Sequence, residues 1–176
     1  IYTLSLHDAL PILESGLKNV AYEEISVEAL AQTQAQQFDV VTCLFSSIGY
    51  CQTVVQLDQA IACMARHVAP GGVLIVEPWL DPAIYKVGHL GSTSVDKEGL
   101  KITRMHVSRL EGRHSILEFH YLIGTAEGVQ YEKEEHVTTL FTDEEYREAF
   151  EFAGLKVERD PDGLMGRGLY LGQTSP

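Results

Sequence analysis

The sequence predicts an α/β fold to which an antiparallel β meander has been added. A short apolar run at residues 39 to 45 is followed by an amphipathic helical pattern and by a second apolar run at residues 73 to 76. This order is typical of a right-handed βαβ unit in a parallel sheet. Three later β-rich runs, separated by turns of hairpin length, indicate the meander. The 176 residues fit a single domain.

Apolar residues spaced three and four apart predict the helix between the two apolar runs. These residues are Leu57, Ile61, Met64, Ala65 and Val68. The Pro-Gly-Gly sequence at residues 70 to 72 is expected to end this helix, because proline and glycine terminate helices. The flanking runs are nearly continuous in apolar residues, which is typical of strands covered on both faces.

The meander is predicted between about residues 100 and 141. Its three β-rich runs cover residues 101 to 109, 115 to 125 and 129 to 141. Strands outside the main sheet leave an edge that must be covered. Pairing with the same edge of a second copy is a symmetric way to cover it.

The C-terminal part of the chain predicts one helix and one hairpin. Thr142 followed by Glu145 is the pattern of a capping box, and an apolar stripe with helical spacing follows it. We therefore expect a helix from about residue 143 to residue 153. Residues 155 to 158 and 169 to 172 are rich in β-forming side chains and predict a closing hairpin.

Residues 1 to 12 differ in character from the rest of the chain. They begin with Ile1 and lack the basic region and the small-residue cleavage site of a signal peptide. They resemble translated sequencing-adapter read-through, so we interpret them as a suspect, non-native leader. Weak patterns favour a strand at residues 20 to 25 and a helix at residues 27 to 36.

The composition argues against several classes of partner. The chain has 13 Lys and Arg against 25 Asp and Glu, and its net charge of -12 repels nucleic-acid phosphates and anionic lipid surfaces. No apolar stretch approaches the roughly 20 residues that cross a bilayer. The three cysteines form no C-x-x-C pair, so neither a disulfide framework nor a zinc site is indicated. We expect a cytoplasmic protein without nucleic-acid or membrane partners.

Candidate binding residues follow the first predicted strand. Ligands of open α/β sheets bind beyond the carboxyl ends of the parallel strands. Residues 45 to 50 lie there: Ser46 and Ser47 offer hydroxyl groups, and Tyr50 offers a phenol. Capping of a helix is an equally good interpretation of the two serines.

A second set of candidate residues follows the second predicted strand. Glu77 brings a carboxylate to the strand end, and Trp79 brings an aromatic ring. The structural alternatives are a solvent-exposed acid and a packed ring, but the position of both residues favours function. Arg167, between two glycines, is a candidate anchor for phosphate or carboxylate, with a solvated loop arginine as the alternative.

Other chemistries find little support. The histidines of the predicted meander, His106, His114, His120 and His136, show no metal-ligand spacing, so we expect no metal site. No G-x-S-x-G sequence is present, and Cys43 lies in an apolar run, where cysteine usually packs as a small hydrophobic residue. Covalent catalysis is therefore not indicated.

Three segments together carry a family resemblance. Residues 38 to 50, 70 to 79 and 166 to 170 resemble class I S-adenosylmethionine-dependent methyltransferases. Within that class the likeness is greatest to the N,N-dimethyltransferases of nucleotide-linked deoxyamino sugars. The Glu-Glu-His-Val-Thr-Thr-Leu-Phe-Thr sequence at residues 134 to 142 also resembles this subgroup, so the similarity covers about residues 38 to 172.

The resemblance implies a Rossmann-like sheet of seven strands whose last strand is antiparallel. The first predicted strand would be its fourth, and residues 73 to 77 its fifth. The family places a glycine-rich loop and an acidic residue for the cofactor before this point, and no such segments precede Phe38. We therefore expect residues 13 to 176 to be a partial methyltransferase domain, and the chain by itself to be weakly active or inactive.

The same resemblance implies roles for individual residues and a homodimer. Leu44, Phe45 and Ser46 would flank the methionine end of the cofactor S-adenosylmethionine. Ser47, Tyr50, Glu77, Trp79 and Arg167 would face an acceptor sugar nucleotide. Some members of the subgroup carry histidine where this chain has Tyr50. Since a phenol with a pKa of about 10 is a weak base at neutral pH, we expect this catalytic candidate to orient the amine by hydrogen bonding.

Two alternatives remain open. The chain could belong to a methyltransferase of the same class that acts on another small acceptor, such as an amino acid or a polyketide-type hydroxyl. It could also be a non-catalytic α/β dimerisation module without a cofactor-binding half. A nucleotide diphosphate should need Arg167, whereas a small neutral acceptor should not.

Overall fold

A computed structural model describes residues 37 to 175, and within them it shows two four-stranded sheets and two α-helices. The elements, in chain order, are β1 (Phe38–Cys43), a 3₁₀ helix (Ser47–Tyr50), α1 (Val54–Ala65), β2 (Val68–Val76), β3 (Leu90–Lys97), β4 (Leu100–Glu111), β5 (His114–Thr125), β6 (Gly128–Thr139), α2 (Asp143–Phe152), β7 (Lys156–Asp160) and β8 (Leu169–Gln173). The leader proposed at residues 1 to 12 and the elements predicted at residues 20 to 25 and 27 to 36 lie outside the described residues.

The first sheet has the strand order β1-β2-β8-β7. β1 and β2 are parallel, with Val41 opposite Leu74, and α1 connects them, as the βαβ prediction requires. β8 runs antiparallel to both β2 and β7, so the last strand is the reversed one. The carboxyl ends of β1, β2 and β7 therefore meet at one edge of the sheet.

Both helices pack on a single hydrophobic core with β2 and β8. Leu57 and Ile61 of α1 and Phe150 of α2 are fully buried there. The Phe150 ring lies so close to Gly172 that a Cβ at that position would stand 2.4 Å from it. Glycine in β8 is therefore a packing requirement that lets α2 lie against the sheet.

The end of α1 differs from the prediction. The helix ends at Ala65, and its last turn is closed by a hydrogen bond from His67 N to Met64 O of 3.0 Å. Val68, predicted on the helical face, is instead the first residue of β2 and is buried. Residues 69 to 72 then bulge from the ladder, so proline and glycine shape the start of the strand and do not end the helix.

α2 and the closing hairpin agree with their predictions. Thr142 Oγ1 accepts a hydrogen bond from Glu145 N, and Glu145 Oε2 accepts one from Thr142 N at 2.9 Å, which completes the capping box. Arg113, in the turn between β4 and β5, donates to the same Glu145 carboxylate at 2.5 Å. The start of α2 is thus joined to the meander.

The meander has four antiparallel strands, β3-β4-β5-β6, and not the three that were predicted. The missed strand is β3, which pairs with β4 over its whole length through a turn at Glu98 and Gly99. β3 consists mainly of Gly, Ser, Thr and charged residues and is largely exposed. It lacks the alternation of apolar and polar residues by which strands are recognised. Neither helix in the described range is long and apolar enough to cross a membrane.

The face of the meander that points away from the first sheet carries an ion cluster around Glu118. Its carboxylate accepts from Lys133 Nζ at 2.7 Å, from Arg109 at 3.1 Å and from His120 Nε2 at 2.8 Å. The hydrogen bonds from Lys133, Arg109 and His120 lower the pKa of Glu118 to about 2.

Glu118→Gln should remove a pH-dependent contribution to stability. Because the folded-state pKa is depressed, this contribution is present above the unfolded value of about 4.3 and is lost as the pH falls toward 2. Urea unfolding between pH 7 and pH 2 should show a difference between the two proteins at neutral pH that disappears in acid. Glu127→Gln, in an exposed turn, is the control; a difference independent of pH would contradict the prediction.

Candidate functional site

A cavity of about 960 Å³ lies between the carboxyl edge of the first sheet and one face of the meander. Loops after β1, β2 and β7 line it on one side. On the other side lie six meander residues that we call the meander wall: Arg104, His106, Phe119, Tyr121, Glu134 and His136. The volume suits a ligand larger than a simple metabolite, since ligand pockets span about 300 to 1,000 Å³.

The loop after β1 contains a strained turn. Phe45 and Ser46 both have left-handed backbone angles, with φ of 54° and 59°, which residues with a Cβ rarely adopt. Phe45 N donates to Glu77 Oε2 at 2.7 Å, and Ser46 Oγ donates to Pro78 O at 2.7 Å. The loop after β2 thus holds the turn, which buries Ser46 and leaves the Phe45 ring 79% exposed at the cavity.

Two of the predicted acceptor residues, Glu77 and Ser47, do not line the cavity. Glu77 is 1% exposed. One carboxylate oxygen holds the Phe45 amide, and Oε1 has no hydrogen-bond partner among the described residues. Leu44 and Ser47 are also absent from the cavity lining: Ser47 Oγ donates to Leu44 O at 2.9 Å, at the start of the 3₁₀ helix. In this structure these three residues support the loop.

Arg167 comes to the cavity from the loop between β7 and β8. Its guanidinium donates to Ser46 Oγ at 2.8 Å and lies over the Trp79 ring, 4.8 Å from its centroid. Gly49 allows Trp79 to approach, because a Cβ there would stand 3.0 Å from the Trp79 Cβ. No carboxylate among the described residues forms a salt bridge with Arg167. The structure therefore brings Ser46, Trp79 and Arg167 together, with the arginine charge facing the cavity.

Tyr50 reaches across the cavity to the meander wall. Its hydroxyl forms a hydrogen bond with Nδ1 of His136, a residue that the sequence did not single out for the site. Burial raises the pKa of the Tyr50 phenol, and the nearby charge of Glu134 raises it further. The phenol is therefore protonated at neutral pH.

The cavity is positively charged in a strongly acidic chain. Lys86, Arg104 and Arg167 line it, and Glu134 is the one carboxylate among its described lining residues. The Arg104 guanidinium lies 5.0 Å from the centre of the Phe119 ring, and its buried Nε has no hydrogen-bond partner in the described part of the chain. The balance of charge inside the cavity is thus opposite to that of the whole molecule.

The sequence analysis missed the meander wall. Its residues occur in pairs two apart, at 104 and 106, 119 and 121, and 134 and 136. A spacing of two places each pair on one face of its strand. Arginine, histidine and aromatic residues repeated in this way on three neighbouring strands are the signal that could have identified the wall.

The described residues offer neither a metal site nor a reactive thiol at Cys43. No group of three or more His, Cys, Asp or Glu side chains is placed to hold a metal ion within residues 37 to 175. Burial raises the pKa of the Cys43 thiol to about 12, with Cys51 adding to the shift. The Cys43 thiolate is therefore not available as a nucleophile at neutral pH.

No family model matches the chain. Among curated relatives, the chain is 43% identical over 138 residues to the dTDP-3-amino-3,6-dideoxy-alpha-D-glucopyranose N,N-dimethyltransferase of Streptomyces fradiae. The match includes 78% of this chain and 54% of that protein. The chain spans about half the length of the curated relatives it matches.

Solved structures show the same similarity, and the chain covers a larger share of them than of the curated relatives. The chain is similar to the sugar N-methyltransferase KedS8 from Streptoalloteichus, with a TM-score of 0.87, 32% identity, and coverage of 99% of this chain and 70% of that one. It is also similar to SAM-bound CalS10, an amino pentose methyltransferase from Micromonospora echinaspora, with a TM-score of 0.83, 32% identity, and coverage of 99% and 72%. These similarities confirm the Rossmann-like fold class. The chain belongs to the S-adenosylmethionine-dependent sugar N-methyltransferases.

Proposed function

We propose that the chain takes part in methylating the amino group of a nucleotide-linked deoxyamino sugar, with S-adenosylmethionine as the methyl donor. The observation that carries this proposal is the charge of the cavity. Three permanent cations face one carboxylate there, in a chain of net charge -12. Such a cavity suits a ligand with a doubly negative diphosphate and a single amine.

Arg167 is the proposed diphosphate anchor. A guanidinium can give two parallel hydrogen bonds to phosphate oxygens, which adds orientation to charge attraction. The hydrogen bond to Ser46 and the stacking on Trp79 hold Arg167 in one place before a ligand arrives. Little side-chain entropy would then be lost on binding.

A second group of lining residues suits the amine. Glu134, His136 and Tyr50 lie together, so a negative charge and two hydrogen-bonding groups face the cavity. An ammonium group is attracted by the carboxylate, and Tyr50 can orient the amine by hydrogen bonding. For methyl transfer, alignment of the amine is the main requirement.

The carboxyl end of β1 fits one end of the cofactor. The exposed Phe45 ring gives an aromatic face, and the unpartnered Glu77 Oε1 gives a buried acceptor oxygen beside the same turn. Both features suit a cationic sulfonium. Phe45 and Ser46 would hold this end, with Leu44 supporting their turn, and S-adenosylmethionine would supply the methyl group to the amine nitrogen. In this proposal Glu77 positions the Phe45 turn and does not touch the acceptor.

We also propose a cytoplasmic location and a homodimer formed through the meander. Cys43, Cys51 and Cys63 form no disulfide, which suits a reducing compartment. Each end strand of the meander, β3 or β6, has one edge without a partner strand among the described residues. If β6 paired antiparallel with β6 of a second copy about its middle, Glu132 would lie opposite Glu135 of the other copy. Like charges in directly opposite positions are unfavourable.

β3 is the better edge for this dimer. It has one acidic and one basic residue, Asp96 and Lys97, both at its end. Antiparallel pairing of two copies about Thr93 and Ser94 brings no like charges together. Such a dimer would join two four-stranded meanders into one continuous sheet.

Arg167→Ala should weaken the binding of dTDP to this chain by about 10- to 100-fold, the range expected for loss of a charge-assisted bidentate contact. Titration calorimetry measures this directly. Mass spectrometry of a dTDP-amino sugar incubated with S-adenosylmethionine and the unmodified chain tests the transfer itself. Lys156→Ala removes one positive charge from a remote, exposed site on β7 and should change neither result. Equal affinities for the Arg167 variant and the unmodified protein would favour a small neutral acceptor.

Ser94→Lys should convert the proposed dimer of 19.5 kDa chains to monomers, because it places two like charges near the centre of the β3 pairing. Analytical ultracentrifugation gives the mass. Gln130→Lys puts the same charge on β6 and should leave the dimer intact. A monomeric unmodified chain, or a dimer lost only with the β6 variant, would contradict the β3 interface.

A further inference from the structure

A chain of three polar side chains crosses one end of the cavity. The Tyr50 hydroxyl forms its hydrogen bond with Nδ1 of His136, and the other ring nitrogen, Nε2, lies 3.5 Å from Glu134 Oε2. Tyr121 donates to the same Glu134 oxygen at 3.1 Å and holds it in place. The order is phenol, imidazole, carboxylate, with the phenol at the cavity.

We propose that His136 receives the proton of the substrate amine through the hydroxyl of Tyr50, with Glu134 as the positioning residue that holds the imidazole ring. This inference rests on the proposed function, because it names the proton acceptor for that amine. It goes beyond the orienting role expected of Tyr50, and it gives His136 and Glu134 roles that the sequence did not predict.

The proton path is needed because an alkylamine is largely protonated at neutral pH, and an ammonium nitrogen has no lone pair for a methyl group. The ammonium N–H bond breaks and its proton forms a bond with the Tyr50 oxygen. The original Tyr50 proton moves at the same time to His136 Nδ1. The products are a neutral amine, a neutral phenol and an imidazolium whose Nε2–H faces Glu134. Charge and protons are conserved.

This path removes the difficulty of using a phenol as a base. Burial and Glu134 raise the pKa of Tyr50, so a free phenolate does not form. A concerted transfer needs none, because Tyr50 gives one proton as it takes another. The His136 side chain is 35% exposed and can later release the proton to water.

The surroundings of His136 contain few competing charges. The titratable groups that face it are Tyr50 from the 3₁₀ helix and Glu134 from its own strand. From β5 it meets the edge of the apolar Phe119 ring, 5.2 Å between centroids. His106 and Arg104 of β4 contact that same ring.

The other face of the meander supplies a matched control. His120 Nδ1 lies 2.6 Å from the Tyr131 hydroxyl, and His120 Nε2 lies 2.8 Å from Glu118 Oε1. The residue types and the ring atoms are the same as in the proposed path. None of these three residues lines the cavity, so this second group should have no part in the reaction.

The first test needs neither substrate nor cofactor. Long-range ¹H–¹⁵N spectra of the histidine-labelled full chain identify which ring nitrogen of neutral His136 carries the proton. The path requires this proton on Nε2, with Nδ1 accepting a hydrogen bond from Tyr50. Tyr50→Phe should therefore shift the Nδ1 signal of His136. The Nδ1 signal of His120 should stay unchanged. A proton on Nδ1 of neutral His136 would overturn the path.

The second test is the pH dependence of methyl transfer to the dTDP-amino sugar. His136→Gln should lower the rate at pH 7 by about 100-fold, as expected for loss of a general base, and the rate should recover at alkaline pH where the amine is already neutral. Glu134→Gln should show a smaller change of the same form, and His120→Gln none. A loss that is equal at every pH, or no loss, would overturn the path. The first test measures the tautomer of His136 without turnover. It therefore supports or overturns the proton path even if no methyl transfer is observed and the proposed function fails.

Discussion

The cavity depends on how the meander is held against the rest of the fold, and Arg113 makes several of the contacts that hold it. This residue lies in the turn between β4 and β5, and its guanidinium donates to Leu140 O and to the Glu145 carboxylate that caps α2. It also lies over the Phe141 ring, 5.1 Å from the centroid. One side chain thus joins the helix start, the end of β6 and a meander turn. The hydrogen bond between Tyr50 and His136, and that from Gln52 Nε2 to Val137 O at 3.2 Å, add ties at the cavity itself.

The second constraint is the pair of left-handed residues after β1. Such angles cost about 1 to 3 kcal/mol for residues with a Cβ and persist only where neighbouring groups hold them. Glu77 and Pro78 provide that hold from the end of β2. The strain directs one aromatic ring into the cavity and buries the serine that binds Arg167. The three loops at the sheet edge therefore form one rigid unit, which a preorganised binding site requires.

Local sequence signals predicted the parts of the fold that local physics decides. The capping box predicted α2, and the apolar runs predicted β1 and β2. β3 was missed because its side chains carry no periodic pattern, and only pairing with β4 defines it. The residues of the site also fall into those that local sequence signals identified and those that depend on tertiary contacts. Strand-end chemistry identified Ser46, Tyr50 and Trp79, and the position between two glycines identified Arg167; all four line the cavity. The meander wall depends instead on which face of the meander meets the first sheet.

The role of Glu77 shows where such reasoning stops. An acid at a strand end can face a ligand or fold inward, and the choice depends on an amide 32 residues away in the sequence. The residue type and position are the same in both cases. The group that lies beside the carboxylate in the folded structure decides which way the acid faces, and here that group is the backbone N–H of Phe45.

The contrast between a cationic cavity and an acidic exterior has a kinetic consequence for any doubly charged anion. At long range the net charge of -12 repels such a ligand, and dissolved salt screens this repulsion beyond a Debye length of about 8 Å at physiological ionic strength. Inside the cavity, short hydrogen-bonded contacts are screened much less. Added salt would therefore speed the arrival of the anion while changing its residence time little, which is the reverse of the usual behaviour of proteins that attract their anionic ligands from a distance.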